Sequence, residues 1–355
     1  MNRYISVDSG KSFTKTSTLN PDVVPYIMAN PEDIKLEGYN GQVFFKNLFR
    51  TKFETDTFED TEPGPESYLV EYEGQVYKVG RTARIEAELE NTKMTPIHKL
   101  CTMFAIATWC SDTEVDDVAV GVGIPILDYN NVEKRNSYRD YIIPLGEHVV
   151  KYVNNGAIVT KTFNIVNAYV YPESIGAIYA AGVNSTGTVG VIDIGHLNVN
   201  MALYSGMIPN PDSITTKKGA NHLVKGLAAK LTSQYSFINA QQTAEILSRK
   251  GADRCLKPVR KNPEIEASSK LVIDEYIKEY VNSILDDARS ANWAIDYMQL
   301  CVIGGTTSMI HDDLIEGLGA EIIIPEDGNF VNVVGILKAM LARKELLRID
   351  TRMCA

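Results

Sequence analysis

Thr188–Gly206 reads TVGVIDIGHLNVNMALYSG, and the architecture follows from how this stretch is parsed. Apolar Val189, Val191 and Ile192 predict a buried strand running into Asp193-Ile194-Gly195, and Val199, Met201 and Leu203 alternate in a returning strand. The stretch is a β-hairpin with an acid at its tip. The N-terminus repeats the design: Tyr4-Ile5-Ser6-Val7 feeds Asp8-Ser9-Gly10, and a second strand follows from Phe13 to Thr18. The two acids stand about half the chain apart, which predicts two pseudo-equivalent lobes whose hairpin tips face one cleft. Glycine at such a tip lets backbone N–H groups approach phosphate oxygens, and a carboxylate holds a metal ion through water. Either tip alone is an ordinary Asp/Gly turn; the pairing carries the inference.

The composition, 45% hydrophobic and 23% charged over 355 residues, is that of a globular chain long enough for two cores. A formal net charge of −10 argues against direct grip on a nucleic-acid backbone. Five cysteines, with no C-x-x-C pair, indicate neither a zinc site nor a disulfide framework. No leader and no run of eighteen apolar residues is found, so a cytoplasmic protein without membrane contact is expected.

Lobe I is expected over 1–168, opening with three short strands, the last at Val23–Tyr26. An acidic, turn-rich subdomain is inserted at about 30–91, with hairpin signals at Asn40-Gly41 and Glu73-Gly74 and a surface loop over Phe53–Ser67. A helix over Thr95–Trp109 starts at Pro96, a strand covers Val115–Ile124, and a helix carries Tyr138 and Tyr141. Two strands follow around Asn154-Asn155-Gly156. Lobe II is expected over 169–355. Val170–Ser174 opens a helix reaching Ala181, and a helical subdomain occupies about 213–292, with helices at Gly219–Leu231, Ala240–Lys250 and Ala267–Asn292. The last has an apolar stripe through Leu271, Ile273, Ile277, Tyr280, Val281 and Ile284. Strands at Met298–Ile303 and Glu321–Ile324 precede a terminal helix over 331–347 that packs back towards lobe I. Strands alternating with helices make each lobe α/β.

Gly304-Gly305 after an apolar strand gives a third glycine turn, where main chain can lie against adenosine, and Thr306 or Thr307 can cap a helix there. Glu173, after Pro172, suits either an attacking water near a γ-phosphate or a helix dipole. Lys15 can reach a phosphate from the strand beyond Asp8. Lys217 and Lys218 precede a helix and suit a ribose or phosphate, or solvent. His196 sits beside Gly195, whereas His98, His148, His222 and His311 show no ligand spacing. No G-x-x-x-x-G-K-[ST] sequence occurs, which excludes a Walker-type phosphate loop.

In this order, the pieces resemble the superfamily of actin, heat-shock chaperone ATPases and sugar kinases, and within it the bacterial actin-like proteins of the ParM/StbA plasmid-segregation type. Val7-Asp8-Ser9-Gly10 through Lys15, with Lys11 and Ser12, looks like the first phosphate loop, and Ile192-Asp193-Ile194-Gly195 looks like the second. Ile303-Gly304-Gly305-Thr306-Thr307 resembles the adenosine loop, and Gly123-Ile124-Pro125 a Gly-Leu-Pro-like strand end. Tyr171-Pro172-Glu173-Ser174 is similar to the Pro-Glu-Ser element of the ParM group. One departure stands out: His196-Leu197-Asn198 occupies the place of a further Gly and one or two Thr.

The resemblance implies an actin-like two-lobed fold, each lobe a duplicated ribonuclease-H-like core, with nucleotide in the central cleft between hinged lobes. It implies an ATPase, with GTP as the alternative nucleotide, Mg²⁺ held by Asp8 and Asp193 through water and Glu173 positioning the hydrolytic water. Catalysis then falls to Glu173, Asp193 and Asp8. Nucleotide contacts fall to Ser9, Gly10, Lys11, Ser12, Lys15, Gly195, His196, Lys218, Gly304, Gly305 and Thr306. The expected partners are further copies of the chain, in a filament, and a DNA-binding adaptor through which plasmid DNA is segregated. The alternative is a small-molecule kinase of sugar or acetate type on the same fold. A chaperone ATPase is disfavoured because no peptide-binding domain follows the terminal helix.

Overall fold

The computed structural model describes residues 2–24, 42–58, 62–86, 92–183, 187–206, 208–319 and 321–343. The chain forms two compact units, 1–180 with 330–355, and 181–329.

The first unit is built on one sheet. β1 (Asn2–Ser9), β2 (Phe13–Leu19), β3 (Phe44–Arg50), β4 (Lys52–Thr55), β5 (Ser67–Tyr72), β6 (Gln75–Gly80), β7 (Ile85–Glu86), β8 (Asp116–Ile124), β9 (Gly146–Asn154) and β10 (Ala157–Pro172) lie in the order β3-β2-β1-β8-β10-β9-β5-β6-β4-β7. β8 runs parallel to both β1 and β10 and is buried along nearly its whole length, which is why DVAVGVGI reads as a continuous apolar run. The helix Pro96–Ala107 covers the sheet with Met103, Phe104 and Ile106, buried against Ile5, Val120 and Phe163. The two tight hairpins turn where both central residues take left-handed backbone: Glu73 and Gly74 (φ 51° and 77°), and Asn155 and Gly156 (φ 50° and 79°).

The helix Val331–Leu341 belongs to this unit and packs on the short helix Ile175–Ala180 and on β1 and β8. The two helices touch backbone to backbone, since a Cβ on Gly335 would stand 2.2 Å from Gly176 Cα. Ser6 Oγ donates to the Val333 carbonyl at 2.7 Å, fixing the helix against β1.

The second unit carries β11 (Thr188–Ile194), β12 (Val199–Ser205), β13 (Ile208–Pro209), β14 (Ile214–Thr216) and β15 (Gln299–Ile303), ordered β13-β12-β11-β15 with β14 also on β12. Helices Ala220–Gln234 and Pro263–Ser290 bury Leu223, Leu227, Ile273, Ile277 and Val281 in one core with Ile192, Met201 and Val302. The long helix starts where Asn262 accepts from the amides of Glu264 and Ile265, one residue before Pro263.

Several sequence expectations change. Pro21–Val23 is a 3₁₀ turn capped by Asn20 rather than the start of a third strand, and Tyr26 lies outside the described residues, as does Asn40-Gly41. The section expected as an insertion joins the main sheet through β2–β3 and β5–β9 pairing, and β4 takes the start of its expected loop. Val170–Pro172 finishes β10, because it pairs with Val122–Ile124, so the helix begins only at Ile175 and a boundary after 168 would cut a strand. Glu321–Ile324 makes a single bridge, Cys301 with Ile323, and Leu271 is 71% exposed, off the buried stripe. The terminal helix is described to Leu341, with 344–347 outside the described residues. No helix among the described residues is long and apolar enough to cross a membrane.

Candidate functional site

The two Asp-x-Gly hairpins share one register. Asp8 pairs with Lys15 and Ser9 with Thr14; Asp193 pairs with Asn200 and Ile194 with Val199. In the first, Gly10 N–H donates to the carbonyls of Asp8 and Phe13, both at 3.0 Å. In the second, Gly195 N–H donates to those of Asp193 (3.2 Å) and Asn198 (3.0 Å). Each acid-bearing strand also runs parallel to a later strand, β8 or β15. The same local fold is thus built once in each unit.

In the first unit, β1 delivers Asp8 and the end of β10 delivers Glu173, whose N–H donates to the Ile124 carbonyl at 3.0 Å. Between them lies Lys93, which sequence reasoning did not select. Its ammonium donates to Asp8 Oδ1 at 3.1 Å and pairs with Glu173 Oε1, and all three side chains are at least nine-tenths buried. Gly123 leaves room for this group: a Cβ there would stand 3.3 Å from Glu173 Cγ and 3.8 Å from Asp8 Oδ1. Burial pushes the Asp8 carboxyl up, but Lys93 and Lys15 overcome it and hold the group below the usual carboxylate range. Burial likewise pushes the Lys93 ammonium down, and Asp8 and Glu173 reverse this to a net rise.

His98, on the helix Pro96–Ala107, is fully buried, with Nδ1 2.9 Å from Ser9 Oγ. Ser9 Oγ continues a hydroxyl chain to Thr14 (3.2 Å) and Thr51 (3.0 Å from Thr14). Burial, with Lys93 and Lys11 behind it, pushes the imidazole down to about 3, so the ring is neutral at neutral pH. Lys11 donates to the Thr92 carbonyl at 3.4 Å, and Thr51 N–H donates to that of Ser12.

In the second unit, Asp193 lies against the Gly304 turn. A Cβ on Gly304 would stand 2.5 Å from the Ile194 carbonyl oxygen and 2.6 Å from Asp193 Oδ1, so only glycine fits. Thr306 N–H donates to Ile194 O at 3.4 Å, and Gly305 lies against Asn329. The hairpin tip rests on the start of the helix Ala220–Gln234: the Gly195 and His196 carbonyls accept from Ala220 (2.9 Å) and Asn221 (2.8 Å). The structure therefore gathers Asp193, Gly195, His196, Gly304, Gly305 and Thr306. It does not bring Lys218 in as a free cation, because its ammonium is held by Asp287 (2.6 Å) and the Ser283 carbonyl (3.0 Å).

No three His, Cys, Asp or Glu side chains cluster as a metal cage among the described residues. A buried carboxylate beside a glycine cradle, present in each unit, suits Mg²⁺, which is bound by one or two carboxylates with water and substrate phosphates.

Comparison with known proteins bears on this arrangement. Residues 6–176 match the family model for the N-terminal domain of actin-like proteins. The Alp12 filament structure is similar over 96% of this chain and 99% of that one, at 21% identity and a TM-score of 0.69. The fold is actin-like. The crystal structure of actin-like protein Alp7A aligns over 100% of both chains, at 15% identity and a TM-score of 0.70. Ta0583, an archaeal actin homologue in complex with ADP, aligns over 95% of this chain and 99% of its own, at 18% identity and a TM-score of 0.65. No curated protein sequence matches. The likeness to ParM-type actin-like proteins read from the sequence holds at the level of fold.

Proposed function

We propose that this chain is an actin-like ATPase that assembles into nucleotide-dependent filaments in the cytoplasm and segregates plasmid DNA through a DNA-binding adaptor. The observation that carries the reading is the equal register of the two Asp-x-Gly hairpins, one per unit, with Asp8 beside Gly123 and Asp193 against Gly304, where no side chain fits. An Alp12 structure solved as a filament and an archaeal homologue solved with ADP support polymer and nucleotide respectively.

In this reading Asp8 and Asp193 hold Mg²⁺ through water. Bound there, the ion supplies charge neutralisation for the phosphates of ATP or GTP. Ser9, Gly10, Lys11, Ser12, Lys15, Gly195 and His196 take phosphate oxygens, and Gly304, Gly305 and Thr306 take the nucleoside. Glu173 orients and deprotonates the attacking water. Lys93, paired with it, fixes that carboxylate in place. Lys218 serves only if it leaves Asp287.

Sedimentation and phosphate release with ATP and Mg²⁺, against ADP, test this. Pelletable polymer with ATP and release that follows assembly are expected. A protein that neither pellets nor releases phosphate with ATP or GTP does not have this function.

A further inference from the structure

One ammonium holds both acids of the first unit. Lys93 Nζ donates to Asp8 Oδ1 at 3.1 Å and pairs with Glu173 Oε1. In the proposed ATPase, Asp8 serves Mg²⁺ and Glu173 the attacking water, so Lys93 stands on the metal's carboxylate and on the water's. A dication and an ammonium on one carboxylate repel each other, strongly so where water hardly reaches. Lys93 and the metal therefore compete for Asp8.

The lysine is placed to change partners. Thr92 and Met94 on either side of it are exposed, so its backbone runs along the surface while its side chain reaches inward. An ammonium on a flexible stem, with rotatable donors, exchanges one oxygen acceptor for another without a change of fold. Lys11, beyond the turn at Gly10, donates to the Thr92 carbonyl at 3.4 Å and ties this segment to the first hairpin. Lys15 stands opposite Asp8 in the strand register. Lys11, Lys15 and Lys93 are thus gathered at one Asp-x-Gly turn in a chain whose formal net charge is −10. Positive charge concentrated in this way is complemented by an anion rather than by a lone cation.

We propose that Lys93 makes this site select a nucleoside triphosphate: an oxygen of the terminal phosphate replaces Asp8 on the ammonium, Asp8 is freed for Mg²⁺, and the pair with Glu173 is kept. Since Glu173 serves the attacking water, the phosphate within reach of its partner ammonium is the terminal one. With a diphosphate, or with Mg²⁺ alone, nothing draws Lys93 from Asp8. Phosphate oxygens are strong acceptors for an ammonium, so the exchange replaces one charge-assisted hydrogen bond with another. Lys93 is then a specificity-determining residue, a role that rests on the ATPase function proposed above.

The test titrates the full chain, with Mg²⁺, with fluorescent mant-ADP and with a mant-labelled, non-hydrolysable imido analogue of ATP. The parent should favour the triphosphate, and Lys93→Met should weaken the triphosphate about tenfold or more, the worth of one hydrogen bond to a charged group, without weakening ADP. A second arm reads unfolding midpoints without nucleotide, in Mg²⁺ and in NaCl of equal ionic strength. Mg²⁺ should raise the midpoint of Lys93→Met above its value in NaCl and leave the parent's unmoved, and Asp8→Asn added to Lys93→Met should remove the rise. If Lys93→Met does not fold, the double variant Lys93→Met with Glu173→Gln, compared with Glu173→Gln alone, carries both arms. A triphosphate preference unchanged by Lys93→Met overturns the inference and leaves the ATPase function standing. So does equal weakening of both nucleotides, or a midpoint that Mg²⁺ raises no more in Lys93→Met than in the parent. A parent that binds neither nucleotide overturns the ATPase function itself, and the inference with it.

Discussion

Lys93 sits between two carboxylates in a place that water hardly reaches, so its charge is not a surface ornament. Removing one member of a buried ionic group leaves the others uncompensated, and that costs far more than the group's net worth. Lys93→Met is therefore expected to lower unfolding stability by about 3–5 kcal/mol, read by urea denaturation, and Lys93→Met with Glu173→Gln should recover part of the loss. A drop below about 1 kcal/mol would place the group in the weak, exposed class. His98 gives a second expectation. Its folded value, about 3, lies below the ordinary 6.5, so the unfolded chain takes up a proton that the folded chain refuses. Stability then falls as pH drops from about 6.5 towards 3, with a slope approaching 1.4 kcal/mol per pH unit for this group. The depressed carboxyl of Asp8 adds its own loss only below its ordinary 3.8, as pH falls towards the folded value. His98→Asn should flatten the upper part of the acid limb, between pH 6.5 and 4, in a pH series of thermal unfolding. An unchanged slope there would mean that the imidazole is not held neutral by the fold.

At the level of elements, the join between helices Ile175–Ala180 and Val331–Leu341 is the most exacting contact, because it has no side chain to trim. Gly335→Leu would drive a side chain into the Gly176 backbone, 2.2 Å from where its Cβ would begin. A loss of about 3 kcal/mol or more is expected, together with faster proteolysis of the terminal segment, whereas Gly74→Ala, whose Cβ would meet nothing within 4 Å, should cost only its left-handed backbone term. The hairpins were legible in the sequence because alternation and Asp/Asn/Gly turns are local signals: Asp8, Asp193, Asn155-Gly156 and Glu73-Gly74 all turn as expected. Val170–Pro172 was not, because Pro-Glu-Ser has the composition of a helix start, and only its pairing with β8, from an earlier stretch, makes it a strand end. Lys93 was illegible for the same reason. Its partner Asp8 is 85 positions away, and a lysine shortly before a helix is ordinary in sequence. Leu271 shows the limit of periodicity, since an apolar residue on a 28-residue helix can fall on the solvent side.

For the whole molecule, the question is whether assembly and hydrolysis are separable, and Glu173 allows that to be asked. Glu173→Gln keeps the shape and an acceptor for Lys93 while removing the carboxylate, and Asp8 still holds the ammonium at 3.1 Å, so the fold should persist. If the carboxylate serves a water, general-base catalysis is worth about a hundredfold or more, and phosphate release should fall by that order. If, as proposed, assembly depends on nucleotide binding rather than on cleavage, polymer should still form with ATP and then persist after the ATP is chased with ADP, while the parent polymer decays. Light scattering for assembly and a coupled phosphate assay for turnover read the two arms independently. Release unchanged in Glu173→Gln would remove Glu173 from hydrolysis and leave it a structural partner of Lys93. Release abolished together with assembly, in a variant with the parent's unfolding midpoint, would mean that cleavage is required for growth and would reverse the order of events proposed for the filament.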